Sequence, residues 1–320
     1  MFLPAVVLGA LVLACLVSLG TGAADLGLAD LFSGSDDSSR ILMVSRVPRT
    51  LAAVLAGSGV AVAGSVMQMS MHNRFVSPTT AGTSQFALVG LLAVALLAPA
   101  TSVMGKMLVA SACAVAGSGL LLRLLHLLPA RRTPADVTVP LIGLMLGGVV
   151  EAGTTFVAWR YDLLQSLGSW TAGDLSRVLA GRYELLWVVA ALALALYLAA
   201  DHLTVAGLGE DAATGLGLSY RLVVDLAVAA AAVMTAVSVV VVGTLPFLGL
   251  VVPNAASRIC GDNLRRALPV VAAGGALLTV VCDVVGRLVH YPYEISVTVI
   301  MGVVGAGAFI VIILRGVDRA

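Results

Sequence analysis

Ten apolar stretches, most of them about 20 residues long, run through the sequence and limit what the chain can fold into. An α-helix needs about 20 apolar residues to cross the hydrocarbon core of a bilayer. Hydrophobic residues fill 60% of the 320 positions and charged residues only 11%, whereas soluble domains carry about 25% charged residues. The sequence therefore predicts an all-α, polytopic membrane protein with one transmembrane domain over residues 1–320. The predicted spans are 3–23, 50–70, 81–99, 103–127, 139–159, 183–201, 222–244, 247–260, 267–289 and 294–314.

The first span has some features of a secretory signal peptide but lacks a positively charged start. Its apolar stretch is long enough to cross a bilayer, so we expect it to remain as the first helix. The second span carries small residues every four positions, at Ala53, Gly57, Ala61 and Ser65. This spacing places them on one helix face and predicts the close approach of another helix.

The positions of arginine in the short loops give a weak indication of orientation. Cytoplasmic loops of membrane proteins carry an excess of Lys and Arg. With the N-terminus in the cytoplasm, Arg74 and Arg258 lie on the cytoplasmic side, while Arg46, Arg49 and Arg287 lie on the opposite side. We expect both termini to be cytoplasmic, and the outer arginines to have a role of their own.

The common signatures of enzymes are missing from the sequence. It contains no HExxH, no GxSxG and no GxxxxGK[ST] phosphate-binding loop. The cysteines are far apart and suggest neither a metal site nor a disulfide framework. We expect no enzyme activity and no cofactor in this chain, so transport against a gradient would need energy from another chain or from an ion.

Three stretches, in the same order, resemble one family. They are SRVPRTLAAVLAGSGVAVAGSVMQMSMHNRFVSPTTAGTS at 45–84, VVGTLPFLGLVVPNAASRICGDNLRRALP at 241–269 and GRLVHYPYEISVTVIMGVVGAGAFIVIILR at 286–315. They are similar to motifs of the FecCD/BtuC-like permeases, which belong to bacterial ATP-binding-cassette (ABC) importers for iron-siderophore, haem and cobalamin. The resemblance runs from about residue 40 to the end of the chain.

This resemblance implies a type II importer permease with ten transmembrane helices in the bacterial cytoplasmic membrane. Two permease subunits would enclose a passage, two cytoplasmic ATPases would bind ATP and magnesium, and an external binding protein would deliver the ligand. The variant NRFVSPTTAGT at 73–83 resembles permeases for catecholate siderophores such as petrobactin. Members of that subgroup often pair as heterodimers, so a ferric siderophore and a heterodimer are the expected ligand and assembly.

Family motifs also imply roles for residues at both ends of the helices. Arg46, Arg49 and Arg287 match arginines that meet acidic residues of the binding protein, and guanidinium groups pair well with carboxylates. The alternative is that Arg46 and Arg49 anchor the second helix at the lipid headgroups. Asn73 and Phe75 match a turn that narrows the inner mouth of the passage, although Arg74 replaces a common proline.

The stretch LTVAGLGEDAATGLGLSYR at 203–221 separates two apolar runs and is too polar to cross a membrane. Part of it matches the family pattern L-G-E-x-x-A-x-x-L-G, which forms two short cytoplasmic helices joined by a tight turn. Residues 202–220 are therefore predicted to be the segment that couples the permease to the ATPase, with Gly215 and Gly217 permitting the turn. A plain interhelical loop is the alternative. The matching residues are Leu208, Gly209, Glu210, Ala213, Leu216 and Gly217.

Ionisable residues inside the spans allow several interpretations. Glu151 is either a residue of the pathway or a carboxylate that is protonated or paired with another helix, since charged groups at membrane depth usually have a function. Asp283 precedes Arg287 by one helical turn and is predicted to pair with it, and Asp225 is predicted to pair with Arg221 in the same way. Two other functions remain as alternatives: an ion-coupled secondary transporter, and an ABC permease for haem or cobalamin.

Overall fold

The computed structural model describes residues 2–21, 42–127, 135–181, 183–261, 263–289 and 293–317, and these residues form helices joined by short loops. Each of the ten predicted spans corresponds to one helix of 13 to 26 residues. These helices are α1 Phe2–Gly20, α2 Val47–Ser70, α3 Thr83–Leu97, α4 Val103–Leu127, α5 Ala135–Arg160, α7 Leu186–Leu198, α10 Tyr220–Val241, α11 Leu248–Cys260, α12 Leu264–Val289 and α13 Val297–Val317.

Three shorter helices connect the long ones: α6 Leu164–Thr171, α8 Ala200–Ala206 and α9 Glu210–Gly215. By length and composition, five described helices can cross a membrane, or six if α7 and α8, which meet at 64°, form one bent span. Four more described stretches are apolar but only 10 to 17 residues long, which is below the length required of a span: Pro4–Gly20, Thr83–Leu97, Leu248–Cys260 and Val297–Ile312. The predicted all-α membrane fold is confirmed.

Helix α2 forms the centre of the molecule. Of its most apolar 18-residue window, 83% is buried, compared with 22% for α5 at the periphery. Gly57 lies so close to α12 that a Cβ atom there would stand 2.7 Å from the carbonyl oxygen of Gly275. Gly64 approaches the backbone of Gly249 in α11 even more closely. The small residues of α2 thus permit the close packing that their spacing predicts.

Residues 242–247 interrupt the helices between α10 and α11. Hydroxyl groups satisfy backbone oxygens there: Thr244 Oγ1 donates to Thr171 O at 2.8 Å, and Thr298 Oγ1 donates to Thr244 O at 2.6 Å. Such pairing matters because water cannot solvate an exposed backbone in the hydrocarbon core. Helix α11 begins only after Phe247, which has a left-handed backbone, and this explains why the eighth span is short.

The predicted site residues lie at two opposite ends of the described chain. We call the end formed by the start of α2, the end of α12 and residues 293–296 the arginine end. The opposite end, formed by residues 71–82 and 200–219, is the coupling end. The predicted docking residues lie at the first, and the predicted gate and ATPase-coupling residues lie at the second.

Candidate functional site

The arginine end is built around two carboxylates that share Arg49. Nε and Nη2 of Arg49 form a side-on fork with Asp283, at N···O distances of 2.7 to 3.2 Å. Nη1 of Arg49 donates to both oxygens of Glu294, at 3.1 and 2.9 Å. Asp283 is almost completely buried, whereas 28% of the Glu294 side chain is exposed. One guanidinium therefore links the start of α2 to the end of α12 and to the segment before α13.

Arg287 lies deeper in the same cluster. Its Nη2 pairs with Asp283, as the one-turn spacing predicts, and also donates to Ser18 Oγ at 2.6 Å. Its Nη1 donates to the carbonyl oxygens of Ser18 and Thr21 at 3.0 and 2.8 Å. Arg287 thus fastens the end of α1 to α12. Because a buried charge is costly unless it is paired and hydrogen-bonded, these contacts account for its presence in the interior.

Arg46 is also buried, and its Nη1 donates to the carbonyl oxygen of Leu19 at 2.8 Å. The structure therefore brings the three predicted docking arginines together, but buries Arg46 and Arg287 against partners within the chain. Arg49 is 13% exposed and is the member that reaches the surface, beside Glu294. We name the set of Arg46, Arg49, Asp283, Arg287 and Glu294 the arginine cluster. Docking on the binding protein stays a prediction.

The predicted gate turn, residues 71–82, is shaped by its own side chains. Asn73 is buried, and its Oδ1 accepts a hydrogen bond from the backbone N–H of Phe75 at 2.8 Å. Asn254 of α11 donates through Nδ2 to the carbonyl oxygen of Arg74 at 2.8 Å. The turn is thus fixed from inside and from α11. Arg74, at the usual position of proline, lies at the surface of this turn.

Phe75 differs from Asn73 because its side chain is 45% exposed. Its ring meets the ring of Phe309 in α13 edge to face, with centroids 6.3 Å apart. Phe309 in turn stacks on Phe247 at 6.4 Å. Of the two gate candidates, Phe75 is therefore the group at the surface, and Asn73 is the group that shapes the turn. A gating role for either residue stays a prediction.

The predicted coupling segment contains α8, the turn 207–209 and α9. The positions that need a left-handed backbone are Gly209 and Gly217, with φ of +104° and +82°. Gly215, which we also predicted to permit the turn, is instead the last residue of α9 and has no positive φ. Ala213 is buried inside the segment. Two short helices do flank a tight turn, as the family pattern implies.

Exposed apolar groups mark the surface of this segment. The side chains of Leu208 and Leu216 are 67% and 69% exposed. Glu210 pairs with Arg221 at 3.4 Å, and both groups are exposed. The predicted pair of Arg221 with Asp225 is therefore wrong within the described residues, because Arg221 turns back toward the start of α9. The partner of Arg221 that local spacing did not indicate is Glu210, which a turn of the chain brings close to the start of α10.

Contacts with the long helices hold the coupling segment in place. The backbone N–H of Leu264, the first residue of α12, donates to Thr204 Oγ1 at 3.3 Å. Gly207 packs against the side chain of Met69 near the end of α2. Asp201 forms an ion pair with Arg265. The segment is therefore attached to the two helices that carry the arginine cluster at their other ends.

Glu151 lies on the exposed face of α5. It lines a cavity of about 240 Å³ together with Gln85, Thr154 and Thr171, among others. No ion pair joins Glu151 to another residue within the described ranges. Neither the pathway role nor the alternative of a protonated or paired carboxylate is decided by this position, and both stay predictions.

A comparison with models of protein families shows to which family the chain is related. The model for the FecCD transport family matches residues 10–315, which is nearly the whole chain. The chain belongs to this family.

Two FecCD relatives are similar over almost their full length. The petrobactin import system permease protein YclN of Bacillus subtilis (strain 168) is 41% identical over 305 residues, which cover 95% of this chain and 96% of that protein. The petrobactin import system permease protein FatD of Bacillus anthracis is 39% identical over 300 residues, covering 94% of this chain and 87% of that protein. The predicted resemblance is confirmed.

A solved structure also matches the FecCD fold. It is described as an inward-facing conformation of a metal-chelate type ABC transporter, and it aligns with a TM-score of 0.83. The alignment covers 98% of this chain and 99% of the other, with 21% sequence identity. At this identity the likeness concerns the fold, and it agrees with the ten-helix arrangement that the apolar stretches predict.

Sequence reasoning missed one residue of the FecCD site. No motif assigns a role to Glu294, which begins the last predicted span, whereas the structure makes it the exposed partner of Arg49. A carboxylate at the same membrane end as three arginines was the available signal. Its partner could not be named, because 245 positions separate the two residues.

Proposed function

We propose that this chain is a transmembrane permease subunit of an ABC importer that takes up a ferric siderophore. The observation that carries the proposal is the 41% identity to a petrobactin import permease over 95% of the chain. Two ends with different chemistry support it, since one presents a guanidinium and a carboxylate and the other presents a short helix with exposed leucines. An importer of this kind needs one surface for the donor of its ligand and another for its ATPase.

The coupling end is suited to an ATPase on another chain. Leu208 and Leu216 offer exposed apolar area on either side of α9, and burying apolar surface favours association. Because α8 contacts α2 and α12, a movement of the ATPase would reach the long helices directly. ATP and magnesium would bind to that partner.

Substrate release fits a passage without a tight binding site. Glu151 is the charged candidate for the pathway, and a bare carboxylate there would repel an anionic ferric catecholate. ATP-driven rearrangement of two permease subunits would therefore move a ligand that the membrane part holds only weakly. A second, related permease would complete the passage, as a heterodimer, and the assembly would lie in the bacterial cytoplasmic membrane.

Reconstitution tests this proposal. The chain is placed in proteoliposomes with a candidate second permease and a candidate ATPase from the same organism, and ATP hydrolysis and uptake are measured with candidate binding proteins. We expect binding protein loaded with a ferric catecholate siderophore to stimulate both activities, and haem and cobalamin to stimulate neither. An ATPase whose phosphate-loop lysine is replaced serves as the control and should abolish uptake.

Two results would contradict the proposal. Uptake that collapses when ion gradients are dissipated, while ATP is maintained, would indicate an ion-coupled transporter. Stimulation by haem or cobalamin instead of any ferric siderophore would keep the importer and overturn the ligand class.

A further inference from the structure

The two carboxylates that hold Arg49 do so in different ways. Asp283 is buried and engages two nitrogen atoms of the guanidinium, with its shortest N···O distance at 2.7 Å. Glu294 is 28% exposed and engages only Nη1, whose two hydrogen bonds measure 3.1 and 2.9 Å. A side-on fork is the stronger and more specific geometry. Exposed ion pairs contribute little to stability and exchange readily with water. The pair with Glu294 is therefore the one that can open without disturbing the interior.

Nη1 of Arg49 is also the part of the cluster that an incoming protein can reach. Arg46 and Arg287 are 5% and 6% exposed and donate to carbonyl oxygens at the end of α1. An acidic side chain that approaches this end thus finds its best donor already occupied by Glu294.

We infer that Glu294 is an internal competitor for docking, which holds Nη1 of Arg49 in the free permease and is displaced by an acidic side chain of the binding protein. The inference rests on the proposed function, because it requires a docking protein. In the exchange one ion pair opens and another forms, Asp283 keeps its fork on Arg49, and the Glu294 carboxylate becomes solvated. Glu294 is a residue that determines specificity, since a protein without an acid at this point cannot replace it.

The charges of the cluster support this role. Three guanidiniums and two carboxylates give 3 − 2 = +1 in the free permease, with Glu294 shielding the most accessible positive group. Without the Glu294 charge, the same groups carry 3 − 1 = +2. A stronger positive field accelerates the encounter with an acidic partner and makes it more sensitive to salt. Glu294 therefore lowers indiscriminate attraction and keeps affinity for the correct partner moderate.

The test measures binding to the complete importer in nanodiscs. The probe is the binding protein that stimulates ATP hydrolysis in the reconstitution above, without added siderophore. For Glu294→Gln we expect a Kd lower by about two- to five-fold, which corresponds to removing one exposed ion pair, and a steeper fall of affinity with salt. Glu184→Gln is the matched control, because Glu184 is an exposed carboxylate whose Oε1 accepts from Gly181 N. Its segment contacts the turn just before α2 through the hydrogen bond from Ala180 N to Val44 O.

A double-mutant cycle separates competition from a general charge effect. In an Arg49→Ala background, Glu294→Gln should no longer tighten binding, because there is no guanidinium to release. Unchanged or weaker binding by Glu294→Gln, equal tightening by Glu184→Gln, or tightening that persists without Arg49 would each overturn the inference. Thermal unfolding and basal ATP hydrolysis check that each variant is folded. If no binding protein stimulates the wild-type importer, the proposed function fails; if stimulation holds and Glu294→Gln does not tighten binding, only this inference fails.

Discussion

Asp283 is the residue on which the arginine cluster depends. It is 3% exposed and accepts hydrogen bonds from Arg49 and Arg287, which come from two different helices. Removing one partner of a buried ion pair leaves an uncompensated charge in the interior. Loss of the Asp283 carboxylate therefore affects the guanidinium groups of Arg49 and Arg287 at once, and Arg287 is itself almost completely buried.

We predict that Asp283→Ala destabilises the protein by about 3 to 5 kcal/mol, the usual cost of breaking a buried pair. Asp225→Ala is the matched control, because Asp225 is exposed on α10 and should change stability by less than about 0.5 kcal/mol. Unfolding by denaturant in detergent micelles measures both changes. Similar stability of the two variants would show that Arg49 and Arg287 find other partners.

At the scale of helices, close backbone contact decides how α2 packs. A side chain at Gly64 would run into the backbone of Gly249, which cannot rotate away as a side chain can. We predict that Gly64→Ala costs about 1 to 3 kcal/mol through overpacking. Gly119→Ala in α4 meets nothing within 4 Å and should be neutral or stabilising by up to about 1 kcal/mol. Thermal unfolding of both variants checks this, and a neutral Gly64→Ala would mean that α11 can move away from α2.

Helices of this protein were largely predictable, whereas side-chain pairs that join different helices were not. Apolar length predicts the ten long helices because a bilayer fixes how many residues a span needs. The i, i+4 pair of Asp283 with Arg287 followed from helical spacing alone. Arg49, however, meets Asp283 across 234 positions, and Arg221 prefers Glu210 across a turn to Asp225 on its own helix. Such choices depend on how helices are arranged in space, which local spacing does not specify.

The coupling segment is the element whose surface, more than its interior, should matter for activity. Glu210 is exposed and begins α9, where a carboxylate is favourable to the helix dipole. We predict that Glu210→Lys, which reverses a charge at the start of a helix and beside Arg221, leaves the folded state within about 1 kcal/mol of wild type, but abolishes stimulation of ATP hydrolysis by the binding protein. The control Glu184→Gln, at the opposite end, should retain the stimulation. Stimulated hydrolysis that remains normal in Glu210→Lys would leave the segment as a plain interhelical loop.

At the scale of the whole molecule, the proposed importer requires each of the two ends to face a particular side of the membrane. Helices α2 and α12 join the ends: each contributes to the arginine cluster at one end and contacts α8 at the other. Docking on one side of the membrane and ATP hydrolysis on the other would thus act on the same pair of helices. This requires the arginine end to face outward and the coupling end to face the cytoplasm.

Cysteine labelling in intact cells tests that orientation. The four natural cysteines are replaced by alanine, and a single cysteine is introduced at Tyr293, which is 71% exposed at the arginine end, or at Leu208, which is 67% exposed at the coupling end. A membrane-impermeant maleimide should label Tyr293→Cys in intact cells and Leu208→Cys only after the membrane is opened. Val237→Cys, 4% exposed within α10, is the control and should stay unlabelled in both cases. Labelling of Leu208→Cys from outside would reverse the orientation, and since an ATPase cannot work on that side, it would remove the basis for assigning residues 202–220 to coupling.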